Sequence, residues 1–421
     1  MRGWGNCVKL KTMNRTFLML QGPASPFFSK MALGLQRAGH KAHRINFCGG
    51  DLLYSLFQPH TNYKGSMADL PGWLASEMKR HAVTDLLLYG DCRPIHRAAI
   101  AVATEMDVRV HVFEEGYLRP DWITMELGGV NGHSRMMDEP INWGLGSAPI
   151  ELHRDDLAYL AGGGSNTVVK ASYDIAYRLA STLLSWLFPH YRTHRPYNGV
   201  LEYAGLARRF AMMRWYDREA RQVTASLSRE GTPYFIFPLQ LNADFQIKCH
   251  SPFPDVIASI DAVLTSFAQA HVGIAAKPVQ LLLKNHPLDT GLSGYRAYVQ
   301  RRAAELNLTG RVKFIEAGDL PELLVGAKGV ILVNSTVGLT ALALGCPVYA
   351  MGKAIFNKAG LSYQGELETF WRAPTPPDAT LVRVFLAHVK THSQVKGDFY
   401  SSEGLHHAAQ VCVRRMMKAV P

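Results

Sequence analysis

The sequence lacks any pair of cysteines at metal-ligand or redox spacing. Its six cysteines, Cys7, Cys48, Cys92, Cys249, Cys346 and Cys412, stand far apart, which excludes CxxC knuckles and disulfide frameworks and points to unpaired thiols in a reducing compartment. Long apolar runs are missing as well. No window approaches the ~18 uninterrupted apolar residues of a membrane span. Near the N-terminus the only apolar run is Phe17 to Leu20, too short for a signal-peptide core and suited to a first strand. The expected compartment is the cytoplasm. There is no internal repeat, no low-complexity segment, and no Asp-x-Asp pair of the kind that holds a nucleotide through a metal. Acidic residues are the scarcer charge, 34 against 45 Lys and Arg, leaving a net +11 that suits an anionic partner. Nucleic acid fits poorly, because the arginines crowd into one segment without interleaved stacking motifs.

What is present is a globular chain, 48% hydrophobic and 421 residues long, beyond the size at which one core usually stops growing. Residues 1–160 alternate strands with helices: "RTFLMLQG", "SPFFSKMALGLQRAG", "KAHRINFCGGD", "VTDLLLYG" and "VRVHVFEEG". Alternation of this kind predicts a parallel, Rossmann-like sheet, with ligands beyond the carboxyl ends of the strands. Residues 161–230 break the pattern with helical stretches rich in arginine (Arg192, Arg195, Arg208, Arg209, Arg214, Arg218, Arg221) and read as a linker or insert. The alternation resumes over 231–385, and 386–421 reads as a helical tail. The expected architecture is α/β, two Rossmann-like domains facing a central cleft, the GT-B layout.

Four stretches carry chemistry. In "VILVNSTVGLTALALG" a buried strand ends at Asn334, and Ser335 and Thr336 open a helix whose first N–H groups suit a phosphate; an ordinary helix cap explains the same hydroxyls. "LLLKNHPLD" delivers Lys284, His286 and Pro287 at a strand end, a place for a phosphate or for a surface turn. "VFEEGYLRPDWITMEL" puts Glu114 and Glu115 at the end of a strand, where like charges would raise one pKa and favour proton transfer; a solvated acidic loop is the alternative. "FIFPLQLNADFQIKCH" sets Asp244 among amides in an apolar stretch. It is placed either to attack an anomeric carbon or to cap a turn.

Taken in order, "LQGPASPFFSKMALGLQRAGHKAHRINFCGGD", "FEEGYLRPDWITME", "PLQLNADFQI", "KNHPLD" and "NSTVGLTALALGCPV" resemble the capsule polysaccharide biosynthesis family, the Kps-S/Lip-B type β-Kdo transferases, which also share sialyltransferase-like motifs. The matching segments run from about residue 16 to 360. The resemblance implies a retaining, metal-independent enzyme without a cofactor. Its donor would be CMP-β-Kdo and its acceptor a (lyso)phosphatidylglycerol-type lipid at the inner-membrane surface, where it would start the capsular linker, in contact with capsule assembly partners. Asp244 would be the nucleophile, Glu115 in preference to Glu114 the acid/base, and His286 with Pro287, Asn334, Ser335 and Thr336 the donor site. Lys284 is added on charge. Gln21, Gly22, Ser25 and Asp51, at strand ends of the first domain, are acceptor-side candidates, although glycine turns explain them too. The tandem-unit members of the pathway carry two such domains pairs, and this chain has length for one. An inverting transferase using CMP-sialic acid and a non-catalytic export or assembly component remain alternatives. "IAYRLASTLLSWLFPHYRTHR" suits either an anionic bilayer surface or a core helix with basic neighbours.

Overall fold

A computed structural model describes residues 14–141, 167–193, 199–242, 245–270 and 278–418. The first half runs β1 (Thr16–Met19), α1 (Phe27–Arg37), β2 (Lys41–Asn46), α2 (Gly49–Leu53), β3 (His60–Asn62), α3 (Leu70–Arg80), β4 (Asp85–Tyr89), α4 (Pro94–Glu105), β5 (Arg109–Glu115) and β6 (Trp122–Leu127). Two helices follow, α5 (Thr167–Leu183) and α6 (Gly199–Glu230). The second half runs β7 (Tyr234–Pro238), α7 (Phe245–His250), α8 (Val256–Gln269), β8 (Gln280–Lys284), α9 (Tyr295–Glu305), β9 (Val312–Ile315), α10 (Leu320–Gly326), β10 (Gly329–Leu332), α11 (Val337–Ala343), β11 (Val348–Ala350) and α12 (Leu367–Arg372). The chain closes with α13 (Ala379–His392), β12 (Gln394–Lys396) and α14 (Ser402–Lys418).

These elements build two sheets, in the orders β12-β6-β5-β4-β1-β2-β3 and β11-β10-β7-β8-β9. The second is parallel throughout, as is the β3-β2-β1-β4-β5 part of the first. Apolar runs such as Leu86–Leu88 are fully buried because helices cover both faces. In the first sheet Phe17, Met19, Leu87 and Phe113 face α1 and α14, while Leu18, Leu86, Leu88 and Val112 face α3 and α4. Strand order reverses between β1 and β4 and again between β7 and β10, so each half has the crevice in which Rossmann-like sheets hold ligands. The expected two-domain α/β architecture is thus present.

Three elements depart from the sequence reading. "WITMEL" is not a loop but strand β6, antiparallel to β5. Within the helical tail, β12 pairs antiparallel with β6 and so finishes the first sheet from the far end of the chain. "NFCGGD" does not end in a simple glycine turn, since α2 starts at Gly49. Both glycines there are required by the approach of α5: a Cβ on Gly49 would lie 2.1 Å from the Ala180 carbonyl oxygen, and one on Gly50 2.5 Å from the Tyr177 ring.

The helical segment ties the halves together. One face of α5 rests on α2. Helix α6 is fastened to the second half by Arg209, whose buried guanidinium holds the Glu316 carboxylate at 3.0 Å just past β9, and by a two-pronged Glu219–Arg296 pair at 2.6 and 2.7 Å. The two helices meet through Arg178–Glu202 at 2.9 Å and Tyr203–Asp174 at 2.8 Å. Among the described residues no helix is long and apolar enough to cross a membrane.

Candidate active site at the cleft

The crevice of the second sheet is organised by one side chain. Asn334, the second residue past β10, exchanges two hydrogen bonds with Gln240 past β7: its backbone N–H donates to Gln240 Oε1 at 3.2 Å, and its Oδ1 accepts from Gln240 Nε2 at 3.0 Å. Its Nδ2 donates to the carbonyls of Gln246 at 2.8 Å and His250 at 3.2 Å, at the two ends of α7. Asn334 is thereby committed to the protein and acts as scaffold, leaving the half-buried Ser335 and Thr336 at the helix start. Ser335 Oγ accepts weakly from the Val337 N–H at 3.3 Å, an ordinary capping contact. Thr336 lines a pocket with Gln246, Asn334 and Lys353 of the second half and with Tyr117 and Asn131 of the first. The "NST" and "EEGY" stretches therefore open onto one cavity between the halves. Asp244 lies outside the described residues. The residues flanking its turn do not: Gln246 is in the pocket wall, and Asn242 Oδ1 accepts from the Val256 N–H at 3.2 Å.

Past the end of β8, the neighbour of β7 in the same sheet, cations gather around His286. Burial first, and then the nearby Arg209 charge, bring the Lys284 ammonium down to about 8. It makes no ion pair among the described residues. His286 is pushed down to about 3 by burial and by the charges of Arg119, Lys284 and Arg209, so its ring is neutral at pH 7. Its Nδ1 accepts from the Leu288 N–H at 3.1 Å, which puts the ring proton on Nε2 as a donor. Pro287 follows at the exposed turn. Arg119, unremarked in the sequence, and Arg209, read there only as part of an arginine-rich linker, add positive charge here: one comes from the loop after β5 and the other from α6.

Glu114 and Glu115 do not share a site. Successive strand residues face opposite ways, and Glu115 is turned to Lys170 (2.9 Å) and Tyr400 (3.3 Å). Burial would raise its pKa, but Lys170, Arg119 and these hydrogen bonds override that and lower it. The expected mutual repulsion of the pair therefore does not operate. Glu114 faces the other way, toward β4, where a Cβ on Gly90 would lie 3.4 Å from its Oε2. On that face the register brings in Glu126 of β6, opposite Val112 and diagonal to Glu114. Burial, opposed by hydrogen bonds from Ser134 and Tyr117 and helped by the charges of Asp91 and Glu139, raises Glu126 to about 7. A carboxyl held near neutrality behind the pocket residue Tyr117 has the properties of a proton-transfer group. Glu126 did not stand out in the sequence because its segment was given no element there.

The acceptor-side candidates are occupied elsewhere. Gln21 and Asp51 are 1% and 2% exposed. Gln21 Nε2 donates to Asp51 Oδ2 at 3.0 Å, and Tyr177 of α5 donates to Asp51 Oδ1 at 2.8 Å. A Cβ on Gly22 would press on the Phe28 ring at 2.9 Å, and Ser25 is buried at the start of α1. As placed, Gln21 and Asp51 seat α5 on the first sheet, while Gly22 and Ser25 pack at the start of α1.

Residues 84–400 match the family described as capsule polysaccharide biosynthesis protein. The chain is 33% identical over 397 residues to the capsule polysaccharide export protein KpsS of Escherichia coli, spanning 94% of this chain and all of that one. It is 30% identical over 402 residues to the capsule polysaccharide modification protein LipB of Neisseria meningitidis serogroup A, 94% of each. Among solved structures, the β-Kdo 2,7-transferase KpsC of Thermosulfurimonas dismutans aligns over 96% of this chain and 98% of that one, at 13% identity and a TM-score of 0.45. By the extent of the family match and the near full-length identity to these relatives, the chain belongs to the capsule polysaccharide biosynthesis family.

Proposed function

We propose that this protein is a glycosyltransferase that moves Kdo from CMP-β-Kdo to a (lyso)phosphatidylglycerol-type lipid with retention, starting a capsular linker. The observation that carries the reading is the pocket between the halves, walled by Tyr117 and Asn131 on one side and Gln246, Asn334, Thr336 and Lys353 on the other. Lys284, the Nε2–H of His286 and Arg119 lie beside it as partners for a departing CMP phosphate. These groups and the first-turn N–H groups after Ser335 can carry the phosphate charge without a metal. Helix α11 has only seven residues, so side-chain cations bear more of this load than the dipole does. Asp244, by its position in the family motif, is the nucleophile. The acid/base role goes to the Glu114–Glu126 face rather than to Glu115, whose carboxylate is tied to Lys170.

The lipid end of the reading is supported by α5. Its face toward α2 is packed, but Ile175, Leu179, Leu183 and Trp186 form an exposed stripe on the other side, with Val168, Leu201 and Phe210 exposed nearby. Arg192, Arg208 and Arg214 are exposed around it. An apolar stripe with a basic border suits an anionic bilayer surface, which would make the protein peripheral at the cytoplasmic face of the inner membrane.

Asp244→Ala is expected to abolish transfer from CMP-Kdo while CMP still binds, and intact-mass analysis of a slowed variant such as Glu126→Gln is expected to show a Kdo-sized adduct on Asp244. Release of CMP from CMP-sialic acid but not CMP-Kdo would favour the inverting alternative. Absence of turnover with either donor would favour an export component, the role that the name of the Escherichia coli relative carries. Glu126→Gln should lower kcat by about a hundredfold or more, and Glu115→Gln by much less; equal losses would return the role to Glu115.

The Lys284 pKa of about 8, lowered from 10.5, gives a sign for the pH dependence of donor binding. The free protein loses this charge as pH rises through 8, so CMP affinity measured by calorimetry should fall above that point, approaching tenfold per pH unit for one linked proton. Lys284→Arg, which stays charged, should flatten the profile. For the membrane surface, vesicle flotation with phosphatidylglycerol should retain the wild type, and Leu179→Glu with Trp186→Glu should weaken retention about tenfold or more. Unchanged flotation would place the lipid contact elsewhere.

A further inference from the structure

At the crevice of the first sheet a group of side chains remains that the transfer chemistry does not use. β4 ends in Tyr89; after Gly90 come Asp91 and Cys92, 3% and 6% exposed. The turn after β6 brings in His133, and α7 of the other half ends in His250, 2% exposed. Cys92 Sγ lies 3.2 Å from Asp91 Oδ1 and 3.3 Å from His250 Nε2, and His133 Nδ1 lies 3.2 Å from Asp91 Oδ2. The two imidazoles meet edge to face at 4.6 Å, and one potential ligand atom from each of the four residues lies within 4.8 Å of all the others.

We propose that Asp91, Cys92, His133 and His250 form a zinc site that clasps the two halves of the protein. One thiolate, two imidazoles and one carboxylate are the donor types zinc takes, and ligand atoms around a tetrahedral zinc stand roughly 3.4–3.7 Å apart. The contacts at 3.2–3.3 Å fall slightly short of that spacing and the remaining pairs lie within 4.8 Å, so small side-chain adjustments in both directions complete the shell. The surroundings are built for it. A Cβ on Gly132 would lie 2.4 Å from His250 Nδ1, and a Cβ on Gly129 would lie 2.6 Å from the His133 Cβ and 3.1 Å from Asp91 Oδ2; only glycines let the 128–133 turn wrap so closely. The carboxylate is further held by the Val130 N–H at 3.0 Å, and the His250 carbonyl is held by Asn334 and by the Lys353 N–H. Both sides of the clasp are thus positioned by second partners, as metal ligands usually are. Three ligands come from the first half and one from the second. Four protein ligands leave no open position for substrate, so the ion is structural and separate from the proposed departure of CMP. A hydrogen-bonded network without an ion is the competing account, and the two differ in what a metal probe reads.

The test uses full-length protein purified without chelators and kept reduced, because the Cys249 thiol also bonds Cys92. Elemental analysis after desalting should find one zinc per chain. Exchange with cobalt(II) should give the visible bands of a tetrahedral site together with a thiolate-to-cobalt charge-transfer band. Cys92→Ser should abolish that charge-transfer band, and His133→Asn should keep it while weakening zinc binding about tenfold or more. His81→Asn, which removes a ligand from the separate His43–Glu77–His81 surface group, should leave the cobalt spectrum unchanged. Reduced wild type without stoichiometric zinc and without the thiolate band, or zinc that survives Cys92→Ser but is lost in His81→Asn, would overturn the proposal.

Discussion

The site rests on the paired amides of Gln240 and Asn334. Two strands that adjoin at the reversal of a parallel sheet end in loops with no ladder to hold them, and these two side chains replace the missing backbone pairing. Asn334 then spends its remaining donor on both ends of α7. Four hydrogen bonds from one residue therefore fix the floor of the pocket through Gln240 and Gln246, and the height at which His250 meets the first half. A buried polar network of this kind is stabilising only when every member is satisfied, and here every polar atom of the Asn334 side chain has a protein partner.

Around that floor, electrostatics follow from crowding. Arg119, Lys284 and Arg209 come from three different elements and act together on His286, although Arg209 is itself paired with Glu316. Burial first, and then these neighbouring charges, depress the pKa values of Lys284 and His286. A phosphate bound there would favour the charged form of Lys284 and be held by it in turn. The opposite situation holds on the other wall, where burial and the neighbouring carboxylates keep the proton on Glu126. The two walls thus have opposite proton affinities: one is ready to take negative charge, the other to exchange a proton.

Much of this was legible in the chain. The alternation of apolar strands with helical stretches located nine of the twelve described strands, leaving β3, β6 and β12 unread, and Asn334, Thr336, Lys284 and His286 were singled out because strand ends in parallel sheets are where ligands go. What could not be read depends on contacts between distant segments. β12 has three residues and pairs with β6 across some 270 residues of sequence, so it has no local signal to announce it, and β6 is antiparallel to β5 where the alternation of strands and helices leads one to expect a helix. Glu126 was hidden with β6. The Asp91–Cys92–His133–His250 group has no motif spacing at all, because its members come from a strand end, a turn and a helix of the opposite half. Gln21 and Asp51 misled for the converse reason: strand-end position is a good guide to ligand sites, but α5 had already covered that one.

The completion of the first sheet by the last segment has a consequence for how the protein is made. Ribosomal synthesis is vectorial, and β12 and α14 follow all the other described elements. Until they emerge, α1 can pack on its own sheet through contacts such as Phe28–Phe113, but its cluster lacks Phe399, Leu405, Cys412 and Met416. The five strands of the second sheet are contiguous in the chain and can pair before then. The half that is translated first is therefore the half whose core is completed last.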